Sequence, residues 1–282
     1  MPTDRVTQVR LESERLTQYL RTLPPDAWSR PSACDGWEVQ DVVAHLTAGA
    51  EFFARTISQG LQGDTMPLGG RLPAGTANAA QAAAMIAQGA RTLRQRLGEQ
   101  LLATFEAADD QLNQLFAELK PQEWETPCYH PWRIIPARQL VDMRLQELAL
   151  HGWDMRSSLE SSTSLSPDSL PAMMELIATS LQSGFLRWAL RPGEKLSAPV
   201  RYRFLVTGTV PHRSDILVDG ETARLEEAGD APATVTLQCD TETYVLLMYG
   251  RLPPEAAMAT RRLVVAGDQR AALAFTQWFK GI

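Results

Sequence analysis

The sequence predicts a four-helix bundle followed by a smaller α+β domain, and three observations support this fold class. The first 160 residues contain long amphipathic stretches separated by loops rich in proline and glycine. Beyond residue 200, short runs of β-branched residues typical of strands alternate with helical patterns. The serine-rich stretch 157–169 separates the two regions, so we expect one domain over residues 1–160 and another over residues 161–282.

Four helical regions make up the predicted bundle. Apolar residues recur at helical spacing in each region, and prolines or glycines lie between the regions. The third region contains no proline, so it forms either one long helix or two helices joined near Gly89 or Gly98. A proline-rich irregular segment precedes the fourth. The helical regions are residues 5–23, 39–57, 79–119 and 137–159.

The second domain is expected to combine strands with helices. A helix is predicted from Leu170 to Leu190, because this stretch is strongly apolar. Further helical patterns cover residues 242–249 and 269–279. The strand-like runs are residues 202–207, 216–218, 234–239 and 263–265.

Composition argues against several classes of protein. A net charge of -6 and an isoelectric point of about 5.3 disfavour nucleic acid as a partner. The charged N-terminus is not expected to act as a signal peptide, and no apolar run approaches the ~20 residues that a membrane span needs. Three widely separated cysteines are typical of reduced thiols, so we expect a cytoplasmic protein. We expect no membrane partner, and either a monomer or a homodimer.

The residues that point most directly to chemistry are Glu147 and His151. In a helix, a spacing of four residues places this carboxylate and imidazole on the same face, one turn apart. The two groups can occupy two positions around a divalent metal ion, and one further nitrogen would leave room for water or a substrate. His45, in the second helical region, is the natural third ligand. Such a His₂Glu set with an open position is known from catalytic zinc sites.

Two other residues of the fourth helical region are candidates for supporting roles. Asp154 lies one turn beyond His151 and would orient the free ring nitrogen of that histidine. Arg144 lies about one turn before Glu147 and would bind an acidic substrate. For the Glu147 and His151 pair itself, the alternative is an exposed helix face on which both residues are simply solvated.

The remaining cysteines and histidines give weaker signals. Cys128 and His130 are too close together for a zinc finger, and a catalytic pair there lacks an orienting third group. Cys34 is expected to pack as a small buried residue. His212, next to a proline, is expected to lie in an exposed turn.

Three motifs occur in order along the chain: Ser32-Ala33-Cys34-Asp35-Gly36-Trp37, Asp41-Val42-Val43-Ala44-His45-Leu46 and Glu147-x-x-x-His151-Gly152-Trp153-Asp154. In this order and spacing they resemble the mycothiol-dependent maleylpyruvate isomerase family. That family belongs to the DinB/YfiT-like superfamily of metal-binding four-helix bundles. Residues 5–160 resemble the bundle. The later part, which contains Val235-Thr236-Leu237 and Tyr249-Gly250-Arg251-Leu252, resembles the family's second domain, similar to sterol-carrier-type α+β folds.

The resemblance implies zinc bound by His45, Glu147 and His151, and a thiol such as mycothiol bound to that metal as the thiolate. In the family, the thiolate adds to a cis double bond of a small electrophilic substrate, permits rotation and then leaves. An arginine of the second domain binds a substrate carboxylate. Arg251 is the first choice for this role and Arg262 the second; the alternative is that Arg251 caps a helix or faces solvent.

Three functions remain open at this point. The first is a zinc-dependent isomerase that uses a low-molecular-weight thiol. The second is an S-transferase with the same site, which conjugates the thiol to an electrophile. The third is a non-catalytic binding protein, in which the second domain holds an apolar ligand and the metal is structural or absent. The donor set would also suit nickel, manganese or iron.

Overall fold

The computed structural model describes residues 2–69, 71–76, 79–183, 198–220 and 222–279. The chain divides into two compact units, Met1–Ser164 and Leu165–Ile282. The first unit is helical and the second contains a five-stranded sheet. The predicted fold class, a helical region followed by an α+β region, is confirmed.

The first unit is built from helices α1 (Pro2–Thr22), α2 (Val39–Leu61), α3 (Ala79–Leu97), α4 (Leu101–Glu118) and α5 (Ala137–Leu159). Helices α1, α2, α4 and α5 form the bundle: α1 packs against α4 and α5, and so does α2. Helix α3 lies along α2. The bundle therefore places the two helices that carry the metal-site candidates, α2 and α5, next to each other.

The helical region 79–119 forms two helices that are joined at Gly98. This glycine has φ +50°, a left-handed conformation that favours glycine because other residues have a Cβ in the way. A short 3₁₀ turn, Gly98–Gln100, connects α3 to α4. Of the two break points expected from the sequence, the chain uses Gly98 and continues as a helix through Gly89.

Helix α2 begins directly after the turn that carries the first motif. The carboxylate of Asp41 accepts a hydrogen bond from the backbone N–H of Glu38 at 2.9 Å, which fixes the first turn. Arg94 of α3 bridges both carboxylates, with Nη1 2.7 Å from Glu38 and 3.3 Å from Asp41. The buried stripe of α2 includes Val39, Val42, Val43, Leu46, Phe53 and Ile57.

The proline-rich segment between α4 and α5 packs against α2. It contains two short paired strands, β1 (Pro127–Cys128) and β2 (Ile135–Pro136), where the sequence predicted only irregular chain. The hydroxyl of Thr56 donates to the carbonyl oxygen of Tyr129 at 2.7 Å. Gly60 permits the close approach, because a Cβ there would lie 2.6 Å from a carbonyl oxygen of β1.

The second unit contains α6 (Leu170–Ser183), β3 (Val200–Thr207), β4 (His212–Asp219), β5 (Thr222–Glu227), β6 (Val235–Asp240), α7 (Thr241–Met248), α8 (Pro254–Ala259), β7 (Leu263–Gly267) and α9 (Gln269–Trp278). The strand order is β5-β4-β3-β6-β7. Strands β3 and β6 are parallel, and the other neighbouring strands are antiparallel.

All four predicted strand runs lie in this sheet, as β3, β4, β6 and β7. Strand β5 was missed because its polar sequence TARLEE lacks a β-branched run and none of its residues is buried. The predicted helix 170–190 begins as α6, and its residues 184–190 lie outside the described residues.

One face of the sheet forms the core of the second unit. Tyr202 and Phe204 of β3 are fully buried, and their rings contact the ring of Phe275 of α9. On the opposite face, the guanidinium group of Arg203 binds both carboxylate oxygens of Asp215 at 2.8 Å. Among the described helices, none combines the length and apolar character that a bilayer span requires.

Candidate functional site

The three predicted metal ligands lie together inside the first unit. His45 comes from α2, and Glu147 and His151 come from adjacent turns of α5. The Nε2 atom of His45 lies 2.7 Å from Oε2 of Glu147, and Nε2 of His151 lies 3.3 Å from the same oxygen. The two imidazole rings meet edge to face, with centroids 4.9 Å apart.

This donor set fits a single divalent metal ion. One potential ligand atom from each of the three residues lies within 4.8 Å of the other two. Ligand atoms around a tetrahedral zinc ion are roughly 3.3 Å apart, given zinc–nitrogen and zinc–oxygen bonds near 2.0 to 2.1 Å. The spacing of these atoms is therefore close to that of a metal shell, and small side-chain rotations would bring all three to one ion.

Electrostatics favour a cation between these side chains. Burial would raise the pKa of Glu147, but the charge of His45 and hydrogen bonds with both histidines hold this pKa well below its ordinary value. Burial would lower the pKa of His151, but hydrogen bonds with Asp154, Cys34 and Glu147 outweigh burial and raise it well above the ordinary value. The site therefore keeps its carboxylate ionised and holds a positive charge beside it.

Asp154 lies beside Nδ1 of His151, the ring nitrogen that does not contact Glu147. Its Oδ2 atom lies 2.9 Å from Nδ1 of His151, and the residue is 1% exposed. An acceptor at Nδ1 keeps the ring proton on that nitrogen and leaves the Nε2 lone pair free to bind a metal. The arrangement matches the carboxylate–histidine–metal triads that orient metal ligands in many proteins.

Cys34 was expected to be a small buried residue, and that expectation is wrong. Its side chain is half-buried, and its thiol donates to Oδ2 of Asp154 at 3.2 Å. The sulfur also lies 3.6 Å from Nδ1 of His151. The sequence signal that could have identified it is its position inside the first motif, directly before the helix that carries His45.

The aromatic ring of Trp37 lies beside the candidate ligands. Its ring meets the ring of His45 edge to face, with centroids 5.4 Å apart. The turn that carries Trp37 and Cys34, residues 31–38, lines a surface recess of about 430 Å³. A larger groove of about 620 Å³, along α2 and α4, is lined by none of the candidate ligands.

The expectation that Arg144 binds an acidic substrate is corrected by its location. The side chain is fully buried inside the bundle, where Nη2 lies 2.6 Å from Oδ1 of Asp109 on α4. Its Nη1 donates to the carbonyl oxygen of Leu46 on α2 at 2.9 Å. Arg144 therefore connects α5 to α2 and α4, and its charge is already balanced by a buried carboxylate.

Cys128 and His130 do not form a pair with each other among the described contacts. The thiol of Cys128 donates to the carbonyl oxygen of Thr126 at 3.4 Å, and burial raises its pKa to about 11. Burial lowers the pKa of His130 to about 4, although the negative charge of Glu147 opposes this shift. Cys128 is therefore a neutral thiol, and His130 is a neutral imidazole near the site.

His212 was expected in an exposed turn, and the structure corrects this expectation too. It is the first residue of β4 and is half-buried, with its ring 5.0 Å from the ring of Tyr244. Burial lowers the pKa of its imidazole. It belongs to the packing of the second unit.

The two candidate arginines of the second unit have different surroundings. Arg251 follows α7 and is half-buried, and its Nη1 donates to the carbonyl oxygen of Tyr249 at 3.0 Å. Arg262 donates from Nε to the hydroxyl of Thr243 at 3.0 Å, and its Nη2 lies 3.4 Å from a carboxylate oxygen of Glu242. Arg262 is therefore already paired with a carboxylate of its own unit.

Two family models match the chain. The model described as "Mycothiol maleylpyruvate isomerase N-terminal domain" matches residues 9–156. The model described as "MDMPI C-terminal domain" matches residues 174–274. No curated protein gives a significant sequence match to the chain.

Solved structures share the fold at low sequence identity. A crystal structure of the mycothiol-dependent maleylpyruvate isomerase matches with a TM-score of 0.59 and 16% identity, over 89% of this chain and 90% of that chain. A histidine-to-alanine mutant of that isomerase matches with a TM-score of 0.61 and 15% identity, over 94% and 93%. A sterol carrier protein 2 from Yarrowia lipolytica matches weakly, with a TM-score of 0.27 and 14% identity, over 39% and 91%. Because the first family model alone covers more than half of the sequence, the chain belongs to the mycothiol-dependent maleylpyruvate isomerase family.

Proposed function

We propose that this protein is a metal-dependent enzyme that uses a low-molecular-weight thiol to isomerise a small cis-unsaturated substrate. Mycothiol is the proposed thiol and maleylpyruvate the proposed substrate type, because the family and its solved members are named for both. The observation that carries the proposal is the convergence of His45, Glu147 and His151 from two helices onto one small volume.

Zinc is the proposed metal, held by these three side chains. Two imidazole nitrogens and one carboxylate oxygen would leave one position of a tetrahedral ion open. When bound there, zinc would supply the positive charge that lowers the pKa of an approaching thiol and so makes a nucleophile available at neutral pH.

Residues of the protein would set the charge and the ligand geometry of this metal centre. Glu147 contributes a single negative charge, so a divalent ion with two neutral histidines would keep a net positive charge that attracts a thiolate. Asp154, through its contact with Nδ1, holds His151 in the tautomer that a metal requires. The ring of Trp37 packs edge to face against the ring of His45.

The proposed reaction returns the thiol unchanged. Addition of a thiolate to the double bond leaves a carbon–carbon single bond and a carbanion stabilised by the neighbouring carbonyl group. Rotation about that bond exchanges cis for trans geometry, and loss of the thiolate restores the double bond. A substrate of this type carries carboxylates, and Arg251 is the proposed group that binds one of them. Arg262, whose guanidinium group lies 3.4 Å from Glu242, is the second choice.

The experiment that tests the proposal combines metal analysis with product analysis. Zinc-loaded protein is incubated with mycothiol and maleylpyruvate, and both the trans product and the remaining thiol are measured. Catalytic formation of the trans isomer without net consumption of thiol is expected, and His45→Ala should abolish it. A stable thiol adduct instead would identify an S-transferase. If the protein binds no divalent metal and forms neither product, it is a binding protein and the proposal is wrong.

A further inference from the structure

The turn before α2 is attached to α5 by two hydrogen bonds. The backbone N–H of Ala33 donates to the carbonyl oxygen of Asp154 at 2.9 Å, and the thiol of Cys34 donates to Oδ2 of the same residue at 3.2 Å. The turn is itself closed, since the hydroxyl of Ser32 donates to the carbonyl oxygen of Trp37 at 3.0 Å and accepts from the N–H of Cys34 at 3.2 Å. Cys34 is therefore held in place relative to Asp154 by the backbone as well as by its side chain.

A single oxygen atom of Asp154 accepts from both neighbours. Oδ2 lies 2.9 Å from Nδ1 of His151 and 3.2 Å from the sulfur of Cys34. Asp154 is 1% exposed, so water competes little for this oxygen. A second donor on Oδ2 restricts rotation of the carboxylate and keeps the oxygen directed at the imidazole.

We propose that Cys34 is a positioning residue of the metal centre, which acts through Asp154. Its thiol holds the carboxylate in the rotamer that keeps the proton of His151 on Nδ1 and leaves Nε2 directed at the metal. The inference rests on the proposed metal-binding function. In this role the sulfur binds neither the metal nor the substrate.

A different role for Cys34 would be that of a metal ligand. Cys34, His151 and Asp154 also lie within 4.8 Å of one another, so they form a second possible ligand group. In that group His151 would bind the metal through Nδ1. In the first group His151 would bind through Nε2, while Nδ1 contacts Asp154. Cobalt(II) separates the two roles, because a cobalt–thiolate bond absorbs strongly in the near ultraviolet. Cobalt-loaded protein without added thiol is expected to lack this band.

The main test measures zinc affinity by competition with a chelator. Cys34→Ala should weaken binding by about threefold to tenfold, the loss expected for one ordinary hydrogen bond, because a thiol is a weak donor. Cys34→Ser should remain within about twofold of the wild type, because a hydroxyl can donate the same bond. Cys128→Ala is the matched control: this thiol bonds to Thr126, and its loss should leave zinc affinity unchanged. Thermal unfolding of each metal-free variant shows whether the fold is intact.

A double-mutant cycle shows whether the thiol acts through Asp154. In an Asp154→Ala background the acceptor is missing, so Cys34→Ala should change zinc affinity by less than about 1.5-fold. A merely structural contribution of Cys34 would persist in that background. The inference is overturned if Cys34→Ala weakens zinc binding equally in the Asp154→Ala background, or if it leaves the zinc affinity of the wild type unchanged. A cobalt–thiolate band would also overturn it. Each of these results would leave the proposed function standing. Absence of any metal binding by the wild type would overturn both.

Discussion

The Nε2 atom of His45 lies 2.7 Å from Oε2 of Glu147, although 102 residues separate the two in the sequence. The same carboxylate lies 3.3 Å from Nε2 of His151. Glu147 is therefore the central member of the ligand group, with a histidine on each side.

Replacing Glu147 by glutamine should lower the affinity for zinc by more than about 100-fold. Loss of a residue that hydrogen-bonds to a metal ligand typically lowers metal affinity by about 10-fold to 100-fold, and loss of the ligand itself should lower it further. The amide is nearly the same size but carries no charge, so the bundle should still fold. Chelator competition measures the affinity, and Glu51→Gln on α2 is the control with a carboxylate away from the site. Wild-type zinc affinity in the Glu147 variant would contradict the assignment.

Zinc affinity should fall as the pH falls through the neutral range. The pKa of His151 lies well above its ordinary value of 6.5, so the metal-free site carries a proton that a metal must displace. Below that raised pKa, affinity should drop by up to about tenfold per pH unit. Calorimetry in buffers of different ionisation enthalpy would detect the released proton. Affinity that does not change with pH would show that His151 binds the metal without losing a proton.

Arg144→Met should destabilise the bundle by about 3 to 5 kcal/mol, because it leaves the carboxylate of Asp109 buried without its partner. The double variant Asp109→Leu, Arg144→Met should recover much of this loss, since both charges are then absent. Urea unfolding measures the free energies. If Arg144→Met unfolds like the wild type but loses substrate binding, Arg144 contacts the substrate and does not stabilise the bundle.

Acid should destabilise the first unit through His130. Burial lowers the pKa of this imidazole to about 4, against an ordinary value of 6.5, so the unfolded chain binds the proton first as the pH falls. The free energy of unfolding should therefore be constant with respect to this group above pH 6.5 and should decrease by about 3 kcal/mol between pH 6.5 and pH 4. His130→Gln should lack this part of the pH dependence. Unfolding curves at several pH values compare the two proteins.

Arg251→Ala should raise KM for a carboxylate substrate by about tenfold to 100-fold, the equivalent of one charge-assisted hydrogen-bonded pair. Arg262→Ala should change KM much less, because Arg251 is the proposed carboxylate-binding group. Steady-state kinetics on zinc-loaded protein distinguish the two arginines. The reverse ranking would assign the carboxylate to Arg262.

Local patterns determined the broad fold and part of the site. The apolar spacing of α1, α2 and α5 and the β-branched runs of β3, β4, β6 and β7 were readable because each reflects the repeat of a single element. The spacing of Glu147 and His151 was equally local, since four residues on one helix fix their relative position. Strand β5 could not be recognised in the sequence, because none of its residues is buried and it lacks a β-branched run.

Packing between elements decided the rest. The sequence carried no sign that Arg144 would meet Asp109, 35 positions away, or that the Cys34 thiol would reach Asp154, 120 positions away. Periodicity shows which side of a helix is buried, but the vertical register of two packed helices depends on how all their side chains interlock. The sequence alone therefore determined which residue types were available for chemistry. The tertiary structure decided which of them face one another, because only close packing of α2, α4, α5 and the turn before α2 sets those distances.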